Sequence, residues 1–225
     1  MVLLVIEIEE STLKEVKKLF EKLEEKVTIF FFRNPEEECV YCEDTLQILK
    51  TIAGLSDKIT VIEKDHTSEE AKKYNIPMYP AILIHGKDKY NIRFFGIPAG
   101  YEFGALVEDI VDASTGHPKV DPRVAEIVKN IDQPVRIMVF VTPTCPYCPI
   151  AVRASHRFAI LNKNIYGDMI EALEFNKLAD KYGVFAVPKI VINDKVEFEG
   201  AMPDSFLLSK ILEALGRKIP EDLVV

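Results

Sequence analysis

With 225 residues, 48% of them hydrophobic, the chain can fill two cores of about 100 residues apiece, so two compact domains are expected. A net charge of -8 without any Lys/Arg cluster excludes a phosphate-binding surface, which leaves proteins or small thiols, and no nucleic acid, as partners. Residues 1–7 have no basic residue ahead of their apolar stretch and meet an acid at Glu7, so no signal peptide and no membrane span is expected, and the cytoplasm is the expected location.

Leu13, Val16, Leu19, Phe20 and Leu23 recur at helical spacing across residues 12–26, with the Glu- and Lys-rich side as a solvated face, and the β-branched and aromatic run 27–32 follows as a buried strand. Past Cys42, the residues Leu46, Ile48, Leu49 and Ile52 continue a helix that stops at Gly54, and residues 59–62 give a short strand. A third helix covers 69–74. Beyond Pro80, residues 81–84 and 90–95 flank a turn containing Gly86 and read as a hairpin, and residues 103–111 form a closing amphipathic helix.

The second half repeats this order, with helix over 124–131, strand over 135–141, helix over 150–161, strand over 169–173 and helix over 176–182. The repeat becomes residue-level where 73–84 (KYNIPMYPAILI) lies against 181–192 (KYGVFAVPKIVI), which pairs Pro80, not Pro77, with Pro188. Both hairpins end on Phe-x-Gly, at Gly96 and Gly200. The polar stretch 114–122, with Gly116 and Pro118, separates the halves, so the expected domains are 1–117 and 118–225.

All four cysteines lie in two matching pairs, Cys39-Val40-Tyr41-Cys42 and Cys145-Pro146-Tyr147-Cys148, each opening a helix straight after a buried strand. The pairs start 106 residues apart and Pro80 and Pro188 lie 108 apart, and a duplicated domain explains both spacings. In a reducing compartment such pairs indicate catalysis or metal binding over structural stapling, although hyperthermophile interiors keep ordinary disulfides. The Glu and Lys content and the absence of Trp fit a thermophilic host.

A thiolate is the nucleophile in disulfide exchange, and a helix amino terminus favours it with partial positive charge and free N–H groups. The second cysteine, three residues on, falls one turn away and can displace what the first has captured. In this reading Cys145 attacks and Cys148 resolves, with Cys39 and Cys42 doing the same in the first half. The surroundings differ. Glu36, Glu37, Glu38, Glu43 and Asp44 crowd the first pair and disfavour its thiolate, whereas Pro143, Pro146 and Pro149 stiffen the second pair without a nearby acid. Cys145 is therefore expected to be the more acidic and more reactive thiol.

The order strand, Cys-x-x-Cys, helix, then a proline ahead of a hairpin, found twice, resembles the thioredoxin superfamily. Over the full length it is similar to the two-domain protein disulfide oxidoreductases of thermophiles, and the Pro-Tyr inside the second pair is like that of glutaredoxins. The resemblance implies an α/β fold of two tandem thioredoxin-like domains, each a mixed central sheet flanked by helices, and an enzyme acting on disulfide-containing protein substrates. It implies cycling between dithiol and disulfide with no bound organic cofactor, electrons from a thioredoxin-reductase-like flavoprotein, and the second site as the stronger one. It also implies cis peptide bonds at Pro80 and Pro188, which leave the backbone of Tyr79 and Val187 beside the dithiols for a substrate strand to pair with. One departure stands out: neither 27–32 nor 135–141 contains the buried acid that thioredoxins carry on the strand before the dithiol, so the proton acceptor for Cys148 is not evident.

Other readings compete. A single four-cysteine zinc site is disfavoured by a gap that spans a whole repeat, and no metal is expected. A structural disulfide in each half is less consistent with the facing prolines. His66, His85, His117 and His156 show no ligand spacing and read as surface or packing residues, and Tyr41 and Tyr147 as loop aromatics beside the site. Tandem thioredoxin folds also occur in peroxiredoxin reductases, as a module that keeps one degenerate site, so an electron shuttle to a peroxiredoxin is the enzymatic alternative. A thiol-dependent chaperone is the non-enzymatic one.

Overall fold

The structure, a computed structural model, describes residues 8–221, so the amino-terminal apolar stretch lies outside the described residues. The first half runs α1 (Glu10–Phe20), β1 (Val27–Arg33), α2 (Cys42–Ala53), β2 (Ile59–Asp65), α3 (Glu69–Lys73), β3 (Ala81–His85), β4 (Ile92–Phe95) and α4 (Glu102–Thr115). The second runs α5 (Pro122–Lys129), β5 (Val135–Val141), α6 (Cys148–Leu161), β6 (Ile165–Glu171), α7 (Asn176–Lys181), β7 (Lys189–Ile192), β8 (Val196–Glu199) and α8 (Asp204–Ala214). Gly116 ends α4 in the left-handed region at φ 69°, which a glycine adopts without steric cost. Asp121 then opens α5, its carboxylate accepting from the Arg123 and Val124 amides with Pro122 in the first turn.

Within each half the sheet follows one plan. β1 lies parallel to β2 and antiparallel to β3, which turns back into β4; β5 stands likewise to β6, β7 and β8. The central strands β1 and β5 are apolar on both faces, as strands covered by helices on each side must be. One apolar layer lies between the sheet and helices α1, α2, α4, α5, α6 and α8, and a smaller one lies under α3 and α7.

The halves are not separate sheets. β4 pairs in parallel with β6, Ile92 beside Gly167 through Phe95 beside Ile170, giving one eight-stranded sheet in the order β2-β1-β3-β4-β6-β5-β7-β8. The joint is head to tail, the hairpin edge of the first half meeting the outer edge of the second. Arg93 of β4 crosses it, its Nε and Nη2 donating to the two carboxylate oxygens of Asp168 at 2.6 and 2.8 Å, while Arg136 Nε donates to the same group at 2.7 Å. On the opposite face Asp109 of α4 accepts from Arg153 of α6 and bonds His156 at 2.6 Å.

Several boundaries differ from expectation. The first helix stops at Phe20 although Leu23 beyond it is buried. The strand expected over 169–173 begins at Ile165 instead, because pairing with β4 and β5 holds Gly167 and Asp168 in the sheet against their local preference. The closing helix is longer at both ends than 103–111 and so takes in Glu102. Among the described residues, no helix is long and apolar enough to cross a membrane.

Candidate functional site

Both dithiols stand at the carboxyl ends of central strands. After β1 and β5 the chain turns outward, and α2 and α6 begin at the second cysteine of each pair, not the first: Tyr41 and Tyr147 are the N-caps, and Cys39 and Cys145 lie in the turn ahead. The Cys145 amide donates to the Thr142 carbonyl at 3.1 Å, fixing that turn. Pro149 occupies the first turn of α6, where its missing N–H removes no helical bond. Each pair is closed as a disulfide within its own motif, Cys39 to Cys42 and Cys145 to Cys148, with 5.5 Å between Cα atoms in both. The four sulfurs are thus in two separate places.

Pro80 and Pro188 both follow cis peptide bonds. Ala81, next after Pro80, pairs with Phe32 at the end of β1, and Lys189, next after Pro188, pairs with Phe140 near the end of β5, so each proline borders the loop that carries its dithiol. At the second site the contact is direct: Cys145 Sγ lies 3.6 Å from the Val187 carbonyl oxygen, which a reduced thiol can donate to. Val187 packs half-buried on the main core, whereas Tyr79 packs on the opposite face, its hydroxyl donating to the Ile76 carbonyl at 3.4 Å. The two backbone positions match, but their side chains are anchored differently.

The rims also differ. Around the second dithiol Phe185 is 97% exposed and Tyr147 66%, with Ile150, Leu173 and Tyr101 also exposed and apolar. Tyr101 comes from the first half, its amide donating to the Pro143 carbonyl at 3.1 Å; a side chain on the neighbouring Gly100, at φ 60°, would strike that same carbonyl. At the first site Val40 and Tyr41 are exposed amid Glu36, Glu37, Glu38 and Glu43.

Sequence reasoning overlooked a set of buried carboxyls near the second site. Glu102, at the start of α4, is fully buried, and burial reinforced by the Asp109 charge pushes its pKa up to about 8. Glu171 at the end of β6 is buried and raised by burial, and Glu174 is raised to about 7 chiefly by burial. Only Glu171 lay inside a predicted apolar element, the strand over 169–173; the helix start at 103 left Glu102 outside, and Glu174 fell between that strand and the helix over 176–182. His156 is a packing residue as expected, fully buried against Phe94 and Asp109.

Residues 135–213 match a family described as thioredoxin domain. The chain is 30% identical over 169 residues to an NADH dehydrogenase of Bacillus subtilis (strain 168), covering 75% of this chain and 31% of that protein. It is 31% identical over 169 residues to the F component of alkyl hydroperoxide reductase from Pseudomonas aeruginosa, again 75% and 31%. The chain thus spans about a third of the length of these curated relatives. Among solved structures, a protein disulfide oxidoreductase from Aeropyrum pernix K1 superposes with TM-score 0.86 at 30% identity, covering 95% of this chain and 96% of that one. The F component of the Enterococcus faecalis alkylhydroperoxide reductase superposes with TM-score 0.83 at 25% identity, covering 92% and 99%.

Proposed function

The chain belongs to the tandem thioredoxin-fold protein disulfide oxidoreductases, and within that family we propose that it exchanges dithiol for disulfide on protein clients chiefly through Cys145 and Cys148. The observation that carries this reading is the placement of Cys145 Sγ 3.6 Å from the Val187 carbonyl, in the turn just ahead of α6 and beside an exposed apolar rim. The Cys145 thiolate attacks a client disulfide, forming Cys145–S–S–client and releasing one client thiolate. The Cys148 thiolate then attacks the Cys145 sulfur, closing the intramolecular disulfide and releasing the second client thiolate. Two electrons pass to the client; in the reverse direction the same steps oxidise it.

The units are residues 1–117 and 118–225, each with one dithiol. Pro188 with Val187, and Pro80 with Tyr79, offer main chain to an extended client segment, a mode that tolerates many side chains. A cytoplasmic, thioredoxin-reductase-like flavoprotein restores the dithiols. A second reading, delivery of electrons to a peroxiredoxin, is favoured by the likeness to the F components of alkyl hydroperoxide reductases.

The test is to trap clients on Cys148→Ser and Cys42→Ser variants and to assay insulin reduction. Client proteins held through Cys145 and reduction of insulin by the parent chain are expected. Absence of both, with a peroxiredoxin as the sole adduct, would replace the first reading by the second.

A further inference from the structure

The loops that lead into the two cis prolines are held in different ways. Each begins just past a short helix, at Asn75 after α3 and at Gly183 after α7, both left-handed, with φ 49° and 58°. In the first half Arg93 Nη1 donates to the Asn75 carbonyl at 3.3 Å, and the Tyr79 hydroxyl ties the loop to the Ile76 carbonyl from within. The second half has Val187 where Tyr79 stands and Glu197 where Arg93 stands, so neither donor is there. It has Lys189 in the place of Ala81 instead. Only 8% exposed, Lys189 reaches back to the start of the loop, its ammonium donating to the Tyr182 carbonyl at 2.7 Å and the Gly183 carbonyl at 3.3 Å. Glu197 Oε2 lies 3.0 Å from the same nitrogen, so the ammonium faces three acceptors, as many as it has N–H bonds.

We propose that Lys189 is the positioning residue of the second client site: its ammonium closes residues 182–189 into a loop fixed at both ends, which sets the Val187 carbonyl and the Phe185 ring before a client arrives. This rests on the exchange reading above. Phe185 and Ala186 are exposed, so packing does not hold the tip of the loop. Its conformation depends on its two ends, one carried by Pro188 and the other by the Lys189 ammonium. The tip has to be set, because the Val187 carbonyl lies 3.6 Å from Cys145 Sγ and a client strand pairing there must bring its disulfide to that sulfur. Without the ammonium, the Tyr182 and Gly183 carbonyls lose a charged donor and the client must order the loop as it binds, which weakens affinity and leaves the sulfur chemistry alone. A small disulfide that meets only Cys145 does not need the loop. The rival role, a plain cap on the last carbonyls of α7, would support the fold without favouring one kind of disulfide over another.

The experiment uses the full chain carrying Cys39→Ser and Cys42→Ser, reduced and freed of reductant, and follows its oxidation by rising amounts of a peptide disulfide or of bis(2-hydroxyethyl) disulfide. In either case two electrons pass from Cys145 and Cys148 to the added disulfide, which becomes two thiols while the protein disulfide closes. Lys189→Met is expected to raise the half-saturating peptide concentration roughly tenfold, with the limiting rate and the small-disulfide rate changed by less than about twofold. Lys189→Arg, which keeps the charge and the donors, is expected to bring the half-saturating concentration back to within about threefold of the parent. An unchanged half-saturating concentration in Lys189→Met, or equal slowing with both disulfides, would overturn the assignment while leaving the exchange reading intact. A parent chain oxidised by neither disulfide overturns the exchange reading and the proposal together. Where Lys189→Met does not fold, the unsubstituted lysine decides: a Lys189 ammonium signal in nitrogen-15 NMR that shifts when a client peptide is loaded on Cys145 supports the assignment, and a signal indifferent to loading overturns it.

Discussion

Strands β4 and β8 hold the same place in the two repeats, yet β4 is buried along its whole length while β8 alternates between half-buried and exposed. The difference follows from the joint: β4 is covered by β6, and β8 is left as an edge. Its outward residues are Glu197 and Glu199 where β4 carries Arg93 and Phe95, and charge at an edge discourages a further strand from adding. The same holds six residues past each hairpin glycine. Glu102 is fully buried, whereas Phe206 is half-buried and meets Phe198 edge to face, their ring centroids 5.2 Å apart. A repeated sequence position therefore does not carry its environment with it; the second dithiol is built partly from the first half.

The largest test of this asymmetry concerns the two attacking thiols. Cys145→Ser is expected to cut insulin reduction on the order of a thousandfold, far more than Cys39→Ser; equal losses would mean that the halves work alike. Next comes the joint. Asp168→Ala strands Arg93 in a buried site and should cost about 3–5 kcal/mol, whereas Glu197→Ala at the solvated edge should cost less than about 1 kcal/mol, both read from guanidinium unfolding midpoints.

Titration of the fold sharpens the contrast between Glu102 and Phe206. Glu102 is held protonated in the folded chain up to about pH 8, but ionises near its ordinary value when unfolded. Its contribution to stability is thus complete below about pH 4.5 and is lost as pH rises through about 8. Glu102→Gln should remove that fall, measured as unfolding free energy against pH, and Phe206→Leu should not.

Two smaller effects follow. Phe185→Ser should raise KM for a peptide disulfide by roughly tenfold, since one exposed aromatic gives up its contact area, while Pro77→Ser at the matching position of the first half should leave KM unchanged. Ser68 caps α3 through the Ala71 amide at 3.2 Å, so Ser68→Ala should cost about 1 kcal/mol; α7, entered from Phe175 without a side-chain cap, has no such contribution to lose.

The strands β1 and β5, the helices behind each Cys-x-x-Cys, the facing prolines and the duplication were all legible in the chain, because each is a local pattern: an apolar period, a four-residue motif, a repeated interval. Cys39, Cys42, Cys145 and Cys148, with Pro80 and Pro188, could be named from residues alone. The parallel pairing of β4 with β6 could not, since main-chain hydrogen bonds across an edge leave no periodicity, and an Arg on β4 does not declare an Asp 75 residues later as its partner. Nor could the burial of Glu102 be seen, for a carboxyl at a helix start looks like a solvated N-terminal acid until the other half is packed over it. Sequence determined what each half is; burial, which depends on how the halves meet, decided which of their charges are forced to work.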